Sequence, residues 1–241
     1  MDAKQNRSPI PAFKYYDLIM AAFVCVLLCS NLIGAAKAAQ LTLPILGTVT
    51  FGADLLFFPL SYIFGDILTE VYGYGRDRRV VWAGFGALVF AAFMAFVVVH
   101  LPPAKNAFMD VYQTQIEGVF GNTWRIVAGS MIAFCCGSFV NSFVLAKMKI
   151  LTQGRFLWMR TIGSTVVGQF VDTGLFFAIA FWGIWPEEQL VAVTITQYLF
   201  KTAWEALMTP ITYKAVGFLK RVEGVDHYDR GTDFTPFSLK V

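Results

Sequence analysis

Long apolar blocks alternate with short polar stretches along most of the chain. Six blocks, at residues 17–36, 51–72, 80–101, 122–147, 158–185 and 189–219, each approach or exceed the roughly 20 residues a helix needs to cross the bilayer core. The pattern predicts an all-α membrane protein of six transmembrane helices. Three domains follow: an N-terminal segment (1–16), a six-helix domain (17–219) and a polar tail (220–241) with little structure of its own.

The connections have their own signatures. In residues 37–50 the alternating Leu41-Thr42-Leu43 and Thr48-Val49-Thr50 flank Pro44 and Gly47, which predicts a short hairpin or re-entrant turn. Pro102-Pro103 stops the third helix, and a short interfacial helix is expected over residues 109–120.

Charge orients the bundle. Fifteen of the 19 basic residues fall in the N-terminal segment, in the loops after the second and fourth spans, and at the C-terminal end. Only Lys37, Lys105 and Arg125 fall on the other side, and Lys201 lies mid-span. Because cytoplasmic loops are enriched in Lys and Arg, both termini are placed in the cytoplasm of a cell inner membrane. Three spans per half is an odd number, so the halves run in opposite senses and a 3+3 inverted repeat fits. The first block lacks a small-residue cleavage site and reads as a retained helix.

The composition, 57% hydrophobic and 15% charged with 24 Phe, leaves no room for a separate catalytic domain. A net charge of +3 gives nucleic-acid binding no electrostatic support. Cys25, Cys29, Cys135 and Cys136 sit in apolar runs without metal-type spacing, so no cofactor or metal is expected.

Five ionisable residues interrupt the blocks: Asp66 and Glu70 in span two, Asp172 in span five, and Lys201 and Glu205 in span six. Each costs a few kcal/mol to insert and so needs a partner or a task. Asp66 and Glu70 share one helix face, and Gln197, Lys201 and Glu205 form a stripe at four-residue spacing. Gln169, Asp172 and Thr173 form another, and Asn31 and Asn141 add neutral hydrogen-bonding groups. Four acids face one base, so three carboxylates lack an internal cation; Lys201 precedes Glu205 by four residues, the weaker order for an ion pair, and Asp172 is its alternative partner. Such polarity suits passage or binding of a small polar solute. Tyr62, Phe170, Trp182, Tyr198 and Trp204 offer stacking faces beside the stripes, and Pro59 and Pro210 are expected to open the backbone of their helices.

These residues resemble a known family. The stretches Ser30-Asn31-Leu32 to Lys37, Phe58-Pro59-Leu60-Ser61-Tyr62-Ile63 and Asp66-Ile67-Leu68-Thr69-Glu70-Val71-Tyr72-Gly73-Tyr74, followed by Arg79, are similar to the queuosine precursor transporter family, also called the vitamin uptake transporter family. So are Gly168-Gln169 with Asp172, and Lys201, Glu205 and Pro210-Ile211-Thr212-Tyr213. The likeness covers roughly residues 15–218. It implies uptake of 7-cyano-7-deazaguanine or 7-aminomethyl-7-deazaguanine for queuosine synthesis. A guanine-like edge presents a ring N–H and an exocyclic amine, two donors that one carboxylate accepts side by side. On this basis Asp172 or Glu205 reads the edge, Gln169, Gln197 and Asn31 supply further contacts, and Asp66 and Glu70 line the inner half of the path.

Other readings compete, a purely structural or scaffold role among them, and two are specific. One is a substrate-binding component for a vitamin-like solute, energised by a separate ATPase. The other, weaker, is an intramembrane aspartyl protease, but neither Gly52-Ala53-Asp54 nor Gly73-Tyr74-Gly75-Arg76-Asp77 matches its GxGD motif. Homo-oligomerisation stays open.

Overall fold

The computed structural model describes residues 13–34, 38–43, 47–121, 124–184 and 186–238. Lys4, Arg7, Lys37 and Lys240, counted in the charge asymmetry, and Pro44 of the expected turn lie outside these. Among the described residues seven α-helices carry the fold: α1 (Tyr16–Cys29), α2 (Phe58–Tyr72), α3 (Tyr74–His100), α4 (Ala107–Phe120), α5 (Trp124–Leu151), α6 (Leu157–Phe181) and α7 (Glu187–Glu223). A wide π-type turn over Ser30–Gly34 prolongs α1. The expected hairpin is present as two antiparallel strands, β1 (Ala38–Leu43) and β2 (Gly47–Gly52), with Gln40 opposite Thr50 and Leu41 opposite Val49. The short helix α4 stands where the interfacial helix is expected.

Among the described residues, four stretches are long and apolar enough to cross a membrane: Tyr16–Ile33, Tyr74–His100, Phe108–Leu151 and Leu157–Phe181. Their outward residues agree with a lipid solvent. Val89, Phe90, Phe93, Met94, Phe96 and Val97 of α3 are all exposed, a patch that water would penalise and acyl chains accept. The helix in the second apolar block is shorter than that block suggests, and it is not among these four stretches. The block's first residues are spent on β2 and a 3-10 turn (Ala53–Leu56), and α2 then runs for 15 residues, about 22 Å at 1.5 Å per residue. Pro59 consequently does not open a helix. It occupies the first turn of α2, where its missing N–H costs nothing. Helix α7 likewise continues unbroken through Pro210.

α2 packs against α1, α3, α5 and α7, and α6 lies between α5 and α7. Phe23, Leu27, Leu68, Val71, Val80, Val81 and Phe134 form the apolar core between α1, α2, α3 and α5. The segment before α1 meets the close of α7 at one end of the bundle. The Glu223 carboxylate, at the close of α7, accepts the backbone N–H groups of Lys14 and Tyr15 at 2.9 Å and the Tyr72 hydroxyl at 2.9 Å.

The tail is far better anchored than its polar composition suggests. Gly73 turns the chain between α2 and α3 with φ of +90°, and His227 packs so close to it that a Cβ there would collide with the imidazole. α3 has no side-chain cap of its own. Both carboxylate oxygens of Asp229 accept the Tyr74 N–H at 3.1 Å and so cap it from the tail. Further along, Arg78 donates to the carbonyls of Asp233 and Thr235 at 2.7 and 2.6 Å, and the Trp82 indole N–H donates to that of Pro236 at 2.7 Å. Burial pushes the Asp229 carboxyl up, but hydrogen bonds from His227, Tyr74 and Thr232 outweigh it and hold the group below the usual carboxylate range.

Candidate functional site

Tyr62, Asp66 and Glu70 stand one turn apart on a single face of α2, directed into the bundle. Thr165, Gln169, Asp172 and Thr173 form the buried stripe of α6, and Lys201, Glu205 and Thr209 that of α7. Small residues let these helices converge. A Cβ on Gly137 of α5 would lie 2.5 Å from the Tyr62 hydroxyl, 2.7 Å from Cβ of Asp172 and 3.1 Å from the Gly168 carbonyl. One on Gly168 would lie 2.8 Å from Cβ of Asn141. Only glycine permits such an approach, the usual device of helix contacts in membranes.

The convergence gathers polar groups in a dry interior. Lys201 pairs with Asp172 at 3.1 Å, and its ammonium lies 4.6 Å from the centre of the Phe58 ring, at the start of α2. Asp66 accepts a hydrogen bond from the Asn141 amide at 2.8 Å, and Glu205 accepts one from the Thr165 hydroxyl. Thr209 donates to the Glu205 backbone carbonyl at 3.2 Å. Asp66 is within electrostatic reach of Glu205, and Tyr62 of both Glu205 and Asp172. Several buried polar atoms find no protein partner among the described residues: Oε1 and Nε2 of Gln169, the Tyr62 and Thr173 hydroxyls, and Oε2 of Glu205. Buried polar atoms are nearly always hydrogen-bonded, so a concentration of open ones marks a place for a polar ligand. The set combines acceptors, donors and an aromatic ring.

Glu70 belongs to a different cluster, and the expected shortage of cations is corrected there. Its carboxylate, fully buried, receives Arg160 at 2.8 Å, Lys220 at 2.7 Å and Lys149 at 3.5 Å. Asp226 of the tail closes the group, 2.6 Å from Lys149 and 2.8 Å from Lys220. Burial raises the Asp226 carboxyl, yet the hydrogen bonds and charges of the two lysines prevail and hold it below its ordinary range. The three cations lie in the last turns of α5 and α7 and the first of α6. Read as loop residues, they were missing from the charge count of the spans. Asp77, in the first turn of α3, is a further buried acid. It accepts a hydrogen bond from Ser142.

The remaining candidates lie apart. Asn31 donates to the Leu27 carbonyl at 2.9 Å and accepts from Ser130 at 3.0 Å. It lines a cavity of about 590 Å³ whose walls, among them Leu88, Phe96, Val119 and Met131, are mainly apolar. That cavity lies toward the opposite end from the tail and does not include the acids of the centre. Gln197 is half-buried, one turn before Lys201 on α7. Asn141 and Tyr62 were visible in the sequence only as polar or aromatic residues within apolar runs. Thr165 carried no signal, since a threonine in a helix commonly bonds its own backbone.

Residues 53–215 match the family model described as "Putative vitamin uptake transporter". A Bacillus subtilis (strain 168) protein named "Probable queuosine precursor transporter" is 35% identical over 171 residues, 70% of this chain and 70% of the relative. An Escherichia coli (strain K12) protein named "Queuosine precursor transporter" is 27% identical over 168 residues, 67% of this chain and 70% of its own length. No solved structure matches the chain.

Proposed function

The chain belongs to the vitamin uptake transporter family, and from that premise we propose that it imports queuosine precursors, 7-cyano-7-deazaguanine or 7-aminomethyl-7-deazaguanine, across the cell inner membrane. The spans are α1, α2, α3, α5, α6 and α7, with both termini cytoplasmic. The meeting of Lys14, Tyr72 and Glu223 at one end supports this topology, as does the basic character of that end. The middle helices of the two halves, α2 and α6, both bring acids to the centre, which agrees with a 3+3 inverted repeat.

One observation carries the substrate reading: the partnerless Gln169 amide, Tyr62 hydroxyl and Glu205 oxygen, together with Asp172, form a buried polar set within one glycine-lined helix crossing. A flat base of guanine type offers two adjacent N–H donors to a carboxylate, with a carbonyl and ring nitrogens for an amide or hydroxyl. Glu205 reads the donor edge through Oε2, Gln169 answers the carbonyl and ring nitrogen, and Asp172 fixes Lys201 beside them. Asp66 lies next along the path. Gln197 and Asn31 lie toward the outer approach. Glu70, saturated by three cations, holds the inner end together.

Uptake of 7-cyano-7-deazaguanine into liposomes holding only the purified chain tests this. Asp172→Asn should abolish uptake while the protein remains in the membrane. Uptake at the unaltered rate would remove Asp172 from the site, and a requirement for an added ATPase would point to a binding component instead.

A further inference from the structure

We propose that Asp66 is the specificity residue of the central site. It receives a cation carried by the substrate, so a guanine-like base with an ammonium arm, such as 7-aminomethyl-7-deazaguanine, binds in preference to its neutral 7-cyano counterpart. This deepens the transport reading above and rests on it.

The buried acids differ in what answers them. Asp172 has Lys201 at 3.1 Å, and Glu70 has Arg160, Lys220 and Lys149. Asp77 accepts Ser142 and stands in the first turn of α3, where the aligned peptide dipoles favour negative charge. Asp66 and Glu205 have no ion pair among the described residues. Asp66, 1% exposed, accepts the Asn141 amide at 2.8 Å, and Glu205 accepts the Thr165 hydroxyl. Lys201, one turn before Glu205 on α7, is committed to Asp172 and to the Phe58 ring. A buried carboxylate without a cation is costly, so the site favours a ligand that brings one.

The neighbouring open atoms indicate that a ligand completes this set. Both amide atoms of Gln169 are buried without a protein partner among the described residues, as are the Tyr62 hydroxyl and Oε2 of Glu205. Gln169 lies on α6, Glu205 on α7, and Asp66 on α2 within electrostatic reach of Glu205.

The shape of the base then assigns the two acids. Its N–H edge and its 7-substituent lie on either side of the ring carbonyl, so one carboxylate does not reach both. Glu205, through its open oxygen, takes the edge, and Gln169 answers the carbonyl. Asp66 takes the arm. The Asn141 amide donates to Oδ1 of Asp66 and orients the carboxylate, with Oδ2 left for the ammonium. A primary amine of this kind is protonated at neutral pH. The cyano group is neutral and accepts only, so it leaves Asp66 unanswered. An ammonium forms an ion pair there, in surroundings that screen it little.

Isothermal titration of the purified full chain in detergent at neutral pH tests this with three 7-deazaguanines, the 7-aminomethyl, 7-cyano and 7-hydroxymethyl bases. The hydroxymethyl base matches the aminomethyl one in size without its charge. The aminomethyl base should bind about tenfold or more tighter than either neutral base. Asp66→Asn should bring that ratio to about one. Equal affinities in the wild type, or a preference that survives in Asp66→Asn, overturn the assignment and leave the transport reading standing. Failure of the wild type to bind any of the three overturns the transport reading, and the inference with it. If Asp66→Asn fails to fold or to bind, Glu205→Gln decides. The preference should survive that change, and its loss would move the cation to Glu205 and overturn the assignment.

Discussion

Replacing Glu70 by glutamine removes the carboxylate that holds Arg160, Lys220 and Lys149 at 2.8, 2.7 and 3.5 Å. The side chains of Lys149 and Arg160 are each 1% exposed, so water does not take over. Asp226 stays to answer the two lysines, but it is 45% exposed and does not pair with Arg160. The guanidinium keeps only the Thr152 hydroxyl and the Arg155 carbonyl. Stranding one buried charge in this way costs about 3–5 kcal/mol. At about 2–4 °C per kcal/mol for a chain of this size, the melting midpoint of Glu70→Gln in detergent should fall by about 6–20 °C. Adding Arg160→Gln removes the stranded charge and should recover part of the loss. The folded single variant should keep the substrate preference of the wild type. An unchanged midpoint would refute the reasoning. So would an altered substrate preference at unchanged stability, since it would place Glu70 in the ligand path.

Three further outcomes follow from the packing and the tail. Gly137→Ala puts a methyl group 2.5 Å from the Tyr62 hydroxyl and 2.7 Å from Cβ of Asp172, so it should lower stability by about 1–3 kcal/mol and depress uptake. Gly174→Ala, with nothing within 4 Å of its Cβ, should be neutral or slightly stabilising in the same melting assay. The docked tail should loosen in acid. Asp226 and Asp229 titrate below their ordinary range when folded, so their contribution is complete above the unfolded value of about 3.9 and fades as pH falls below it. Protection factors for hydrogen exchange at residues 226–236 should therefore be high near about pH 6 and fall as the pH drops below about 3.9; equal protection factors at both ends would count against the carboxylate clasps.

The apolar blocks that became α3, α5 and α6 were legible because lipid demands unbroken hydrophobicity and a regular helix satisfies every backbone group. The Lys201–Asp172 pair was legible too, since a lone base among acids restricts the choice of partner. Three features were not. The start of α2 depended on whether residues 51–57 extend a helix or finish a hairpin, and the Phe and Leu residues there permit either. The partners of Glu70 were hidden because Lys149, Arg160 and Lys220 lie at helix ends, where basic residues ordinarily meet water. The order of the tail was hidden because its polar residues bond one by one to a turn and a helix start more than 150 positions earlier. Local composition carries no trace of such distant partners.

The cluster around Glu70 has a consequence for biogenesis. During synthesis α2 enters the membrane with a bare carboxylate. Lys149 arrives with the end of α5, Arg160 with the start of α6, and Lys220 and Asp226 only with the end of α7 and the segment after it. Until then Glu70 lacks its cations, and a carboxyl without them is favoured in its protonated form or near water. Packing of α5, α6 and α7 against α2 is thus what lets Glu70 settle as a buried carboxylate.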